Sequence, residues 1–146
     1  MTFSIIFKNS LALFFLLCHI VAMKLAVIGS RRRFCPSLVQ SEIAARNPSS
    51  LISGGAAGID TQAEEAARGM NIPVVIIRPD KNGARGRADV MAAIRKRNEE
   101  IVRSADAVLA FPSFDRTGGT ERVICMAKRM GKPCFIVASN GQDMQP

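Results

Sequence analysis

The sequence predicts an α/β domain in three layers, with a mainly parallel sheet of about five strands in the middle. Three observations carry that expectation. Short apolar runs alternate along the chain with stretches of helical periodicity. Some of those runs, "PVVII" above all, are continuously apolar and β-branched, as strands covered on both faces are. Gly-rich turns stand where a strand hands over to a helix.

The first strand is read at Lys24–Gly29, "KLAVIG", an apolar run ending in glycine. A helix follows from Ser37 to about Arg46. Its start is signalled by Ser37 and Gln40 at capping-box spacing, and "NPSS" breaks it. Leu51 and Ile52 close a second strand. The next helix, from about Asp60 to Arg68, gathers Ile59, Ala63, Ala66, Ala67 and Met70 on one face, and Gly69 is placed to end it. "PVVII" is the third strand, "RPDKNGARGRAD" a loop, and Val90 to Ser104 a helix. "AVLAF" is the fourth strand, "PSFDRTGG" a loop, Thr120 to Met130 a helix, and "PCFIV" the fifth strand. The polar tail "ASNGQDMQP" is expected to fray. No repeat or low-complexity linker divides the chain, so residues 23–140 are read as one domain and 141–146 as a polar tail.

The first 22 residues are set apart. The apolar run Leu11–Met23 falls short of the roughly 20 residues of a membrane span. It is long enough for a signal-peptide core, yet a cut after Ala22 puts Ile20 where a small residue is wanted. "MKLAVIGSRRR", from Met23, reads as a natural start on a first strand. The expectation is an extension that the fold does not need, or a start assigned too far upstream, with a signal peptide or membrane anchor as the alternative. The domain itself is expected in the cytoplasm, with no membrane partner.

The 146 residues suffice for one domain with an ordinary core. A formal net charge of +8, carried mostly by arginine, favours a phosphorylated or polyanionic partner. The absence of Trp and Tyr leaves few platforms for stacking bases. Four cysteines without a C-x-x-C pair, and a single histidine, His19, make neither a zinc site nor a Cys/His catalytic pair. No metal and no cofactor are expected. The cysteine pattern suits a reducing compartment; Cys35 follows three arginines that could lower its pKa, or is an ordinary buried thiol.

Right-handed crossovers place all strand C-terminal ends on one edge, and ligands of such sheets bind there. Four loops meet at that edge. They are Gly29-Ser30-Arg31, then Ser53-Gly54-Gly55-Ala56-Ala57-Gly58, then Arg78-Pro79-Asp80, then Pro112 through Gly118-Gly119-Thr120-Glu121. The second and fourth end in glycines just before a helix, an arrangement that brings free helix N–H groups to a phosphate. Neither is the dinucleotide fingerprint, which belongs after the first strand, nor a P-loop, since no G-K-[S/T] occurs. Asp60 and Glu121 each stand at a helix start, where the dipole favours a carboxylate whether or not a ligand is near. Thr120 either caps its helix or offers its hydroxyl to a phosphate. Asn98 interrupts the stripe Met91, Ile94, Ile101, Val102, Ala105 where the period calls for an apolar residue. Its amide needs partners, either neighbouring loops or a ligand, and Arg97 beside it reaches the same edge.

Taken together, "AVIGSR", "ISGGAAGIDTQAEEAA", "RPD", the "RN" of "RKRNEEIV", "ADAVLAF" and "GGTERVICMAKRMGKP" resemble the SLOG superfamily. That Rossmann-like group holds the DNA-processing protein DprA and the LOG phosphoribohydrolases, and the similarity is greatest to its small single-domain YspA-like branch. The resemblance spans Lys24 to Val137. It implies a nucleotide or nucleotide-derived ligand over the Gly-rich loops and a homodimer. Gly29, Ser30 and Arg31 would lie near the base or sugar, with Ser53, Gly54, Gly55, Gly58 and Asp60 around the pocket. Arg97 and Asn98 would lie beside it, and Gly118, Gly119 and Thr120 at the phosphate. LOG enzymes carry P-G-G-x-G-T-x-x-E where this chain has "DRTGGTER", so Glu121 directly follows Thr120. Three functions follow: a nucleotide sensor or binding module, a LOG-type hydrolase with Glu121 or Asp60 as acid or base and Arg97 stabilising charge, and a DprA-like DNA-binding protein. The last draws on Arg31–Arg33, Arg85, Arg87 and Arg95–Arg97.

Overall fold

The computed structural model describes residues 23–146, and the reading of residues 1–22 lies outside them. Among the described residues nine elements alternate: β1 (Lys24–Gly29), α1 (Pro36–Arg46), β2 (Ser50–Ser53), α2 (Ile59–Gly69), β3 (Val74–Ile76), α3 (Arg87–Ser104), β4 (Ala107–Phe111), α4 (Gly119–Arg129) and β5 (Cys134–Ile136). The five strands form one sheet in the order β3-β2-β1-β4-β5, and every neighbouring pair is parallel. This is a three-layer Rossmann-like α/β fold.

The sheet packs on both faces because its strands alternate two apolar sets. Leu25, Val27, Leu51, Leu109 and Phe111 face one way, toward Val39 and Ile43 of α1 and Ile59, Ala63 and Ala67 of α2. Ala26, Ile28, Ile52, Val108 and Ala110 face the other way, toward Ile101 and Val102 of α3 and Val123, Ile124 and Ala127 of α4. Only β4 is buried along its whole length. The edge strands leave Val75 and Phe135 half-exposed, and the Arg46 guanidinium lies 4.5 Å from the centre of the Phe135 ring.

Two helix starts and the tail differ from the sequence reading, and the ends of α2 and α4 each shift by one residue. Helix α1 starts at Pro36, one residue before the expected cap, and Ser37 makes no capping bond. Proline suits the first turn because its missing N–H would have had no helical partner. Helix α3 begins at Arg87, in a polar first turn that periodicity does not register; there Asp89 accepts a hydrogen bond from the Arg85 N–H at 2.8 Å. The tail is tied down rather than frayed. Arg33 forms an antiparallel bridge with Met144, and the Gln145 N–H donates to the Arg32 carbonyl at 2.6 Å. Among the described residues no helix is long and apolar enough to cross a membrane.

The loop after β1 and the turn before α2 cross backbone to backbone. Gly58, at φ 82°, allows this, since a β-carbon there would sit 2.6 Å from Ser30 O and Arg31 Cα. Gly58→Ala should therefore lower stability by about 2 kcal/mol or more, from backbone strain plus overpacking. Urea unfolding checks it, and a wild-type midpoint would contradict the crossing as described.

Candidate functional site

A cleft of about 560 Å³ opens over the C-terminal ends of β1 and β4. These are the strands between which the sheet order reverses direction. Chain leaving β1 goes to α1 on one face, and chain arriving at β4 comes from α3 on the other. The loops separate there and leave a crevice.

Most of the expected site residues meet in it. Gly29, Ser30 and Arg31 come from the end of β1, Gly54 and Asp60 from the turn into α2, Arg97 and Asn98 from α3, and Gly118, Gly119 and Thr120 from the start of α4. Ser53, Gly55 and Gly58 do not line it. Ser53 is buried beneath the turn, where its hydroxyl donates to Glu64 Oε1 at 2.6 Å and accepts from the Gly55 N–H at 3.1 Å. Glu121 also stays outside, its carboxylate held by the Arg116 guanidinium. The sequence reading placed Met91 and Ile94 in the apolar stripe of α3, but both form part of the cleft wall.

The floor is polar and desolvated. Arg97 is buried; its Nε donates to Asn98 Oδ1 at 2.9 Å and its Nη1 donates to the Gly54 carbonyl. A β-carbon at residue 54 would collide with that guanidinium, so Arg97 is the reason for glycine there. Burial pulls the Arg97 pKa below its ordinary value, with Asp60 acting in the opposite direction. Asp60 is buried too, and its Oδ2 accepts from the Ala56 N–H at 3.2 Å. Burial raises its pKa from 3.8 to about 6, against the lowering effects of that hydrogen bond and of Arg97. Half-buried Asn98 spends its carbonyl on Arg97, and among the described residues its amide nitrogen has no hydrogen-bond partner.

The rim is cationic and the N-terminus of α4 is free. Arg31 and Arg32 are exposed at the cleft mouth. Gly118 occupies the N-cap of α4 and no side chain caps the helix, so Thr120 does not take the capping role. The first N–H groups of α4 therefore remain available to an anion. Arg33, third of the arginine run, is buried on the far side of the loop. Burial raises the Cys35 thiol pKa and outweighs the neighbouring Arg33, so Cys35 is not an activated thiol.

Sequence reasoning missed Gln62. It is buried in α2, donates from Nε2 to the Arg33 carbonyl at 2.9 Å and accepts from the Cys35 N–H at 2.8 Å, so it fixes the loop that carries Arg31 and Arg32. A polar residue inside a helical apolar face was the available signal. No protein-family model matches the chain, and no curated protein matches it.

The Asp60 environment makes a pH prediction. Its folded pKa, about 6, lies above the ordinary 3.8, so the folded state holds the proton more tightly and stability falls as pH rises between those values. Above that window the cost is on the order of 2–3 kcal/mol. Asp60→Asn should be more stable than wild type at pH 7, with the difference shrinking toward zero near pH 4. Urea unfolding across pH checks this, and a difference independent of pH would contradict the assignment.

Proposed function

We propose that this chain is a SLOG-like domain that binds a nucleotide or nucleotide-derived ligand in the cleft, acting as a sensor or binding module. One observation carries the reading. The buried Arg97 guanidinium and the uncapped N-terminus of α4 open on the same crevice at the reversal of strand order. Among the described residues no carboxylate comes within ion-pair distance of Arg97, an arrangement whose desolvation cost an anionic ligand would offset. In this reading the phosphate sits on Gly118, Gly119 and Thr120, with Arg31 and Arg32 closing over it. The sugar hydroxyls meet Asp60 and the free amide nitrogen of Asn98. Met91 and Ile94 give the base an apolar wall in place of an aromatic stack. A homodimeric, cytoplasmic protein accords with the same resemblance.

Asp60 favours a second reading, hydrolysis of the bound nucleotide. A carboxyl in a cleft whose pKa burial raises to about 6 is suited to general acid–base work, and Arg97 beside it is suited to stabilising developing negative charge. Asp60 then takes the role that Glu121 holds in the LOG comparison, because Glu121 is engaged by Arg116. The DNA-binding alternative gains less, since two arginines of its basic run, Arg33 and Arg97, are buried.

Isothermal calorimetry of the full chain against AMP, ADP-ribose and a cyclic dinucleotide tests the proposal. At least one should bind, and Asn98→Ala should weaken it about tenfold, the worth of a hydrogen bond of about 1.4 kcal/mol. Unchanged affinity in a folded variant would sink the shared-site idea. If the bound nucleotide is turned over, Asp60→Asn should abolish turnover and keep binding, whereas Glu121→Gln should retain turnover.

A further inference from the structure

We propose that the C-terminal segment Ala138–Gln145 is a strap that holds both walls of the cleft, with Arg33 and Asp143 as its positioning residues. The inference rests on reading the cleft as the ligand site. Its basis is one caged cation. Arg33 is 1% exposed. Its Nε donates to Asp143 Oδ2 at 2.6 Å, its Nη1 to the carbonyls of Val137 at 2.5 Å and Pro112 at 3.3 Å, and its Nη2 to that of Ala138 at 3.0 Å. The guanidinium carbon lies 5.4 Å from the centre of the Phe111 ring.

The cation and its partners join three places in the chain. Arg33 directly follows Arg31 and Arg32, which line the cleft from the β1 side. Pro112 directly precedes Ser113, which lines it from the β4 side. Val137, Ala138 and Asp143 belong to the chain after β5, where the sheet is already complete. The backbone adds a second layer: the Phe34 N–H donates to the Asp143 carbonyl at 2.8 Å and the Gln145 N–H to the Arg32 carbonyl at 2.6 Å. Ser139 holds the other oxygen of the Asp143 carboxylate. The tail contributes no residue to the buried apolar core, so its order rests on these polar contacts. Its physical effect is to fix where the two cleft loops stand relative to each other.

Hydrogen exchange on the full chain, paired with AMP affinity, tests the strap. Asp143→Ala removes the carboxylate. Arg33→Met combined with Asp143→Asn removes the buried charge with its partner, so a stranded cation does not confuse the result. In both variants amides of residues 30–34 and 113–117 should exchange about tenfold faster or more, while those within β1 and β4 keep wild-type rates. The AMP dissociation constant should rise about tenfold, and Asp143→Glu should retain wild-type affinity within about threefold. Unchanged loop exchange in both variants overturns the strap. Loosened loops with unchanged AMP affinity overturn its positioning role. If the wild-type chain does not bind AMP, the functional reading loses that ligand, and the exchange rates still decide whether the strap exists.

Discussion

Everything at the candidate site depends on the place of β1 in the sheet. It pairs in parallel with β2 on one side and β4 on the other. Its central residues Leu25, Ala26 and Val27 are wholly buried. The chain must therefore leave the centre of the sheet twice, in opposite directions and over opposite faces. Two parallel strands side by side with diverging connections cannot be closed by a tight turn, and a crevice over their C-terminal ends results. The Ser30 N–H, donating to the Phe111 carbonyl at 3.0 Å, is the last rung of that pairing and sets the depth of the floor.

Four of the buried polar side chains gather at this crevice. Asp60, Glu64, Ser53 and Arg97 lie under or beside the turn into α2. Ser53 and Glu64 satisfy each other and support the turn from below. Asp60 and Arg97 are held mainly by backbone atoms and Asn98, and both carry pKa values displaced by burial. A fold selected for stability alone would place apolar side chains here. Burying charge here without an ion-pair partner costs stability.

Much of this was legible in the sequence. The alternation of β-branched runs with helical periods gave every element, because burial on two faces writes a strong local signal. Boundaries were harder at Arg87, where a polar first turn carries no period, and at Pro36, where proline rather than Ser37 opens the helix. The Gly-rich turns were legible, but the reasons for individual glycines were not: Gly54 makes room for Arg97 and Gly58 for the loop after β1. Asn98 stood out as a polar break in an apolar stripe and does face the cleft. Glu121 departs from the LOG spacing already in the sequence, but its engagement by Arg116, in a loop where Arg116 and Gly118 both have positive φ, shows only in the structure. The Arg33–Asp143 pair joins residues 110 positions apart, a contact that no local pattern announces.

The central claim is that ligand binding happens at the reversal between β1 and β4. Backbone amide NMR spectra of the full chain, recorded with and without AMP, test it most directly. The account predicts shifts concentrated at Gly29–Arg32, Gly54–Ala56, Arg97–Asn98 and Gly118–Thr120, with the opposite edge of the sheet unmoved. Shifts confined to the opposite edge, or to the outer face of β3 or β5, would contradict it.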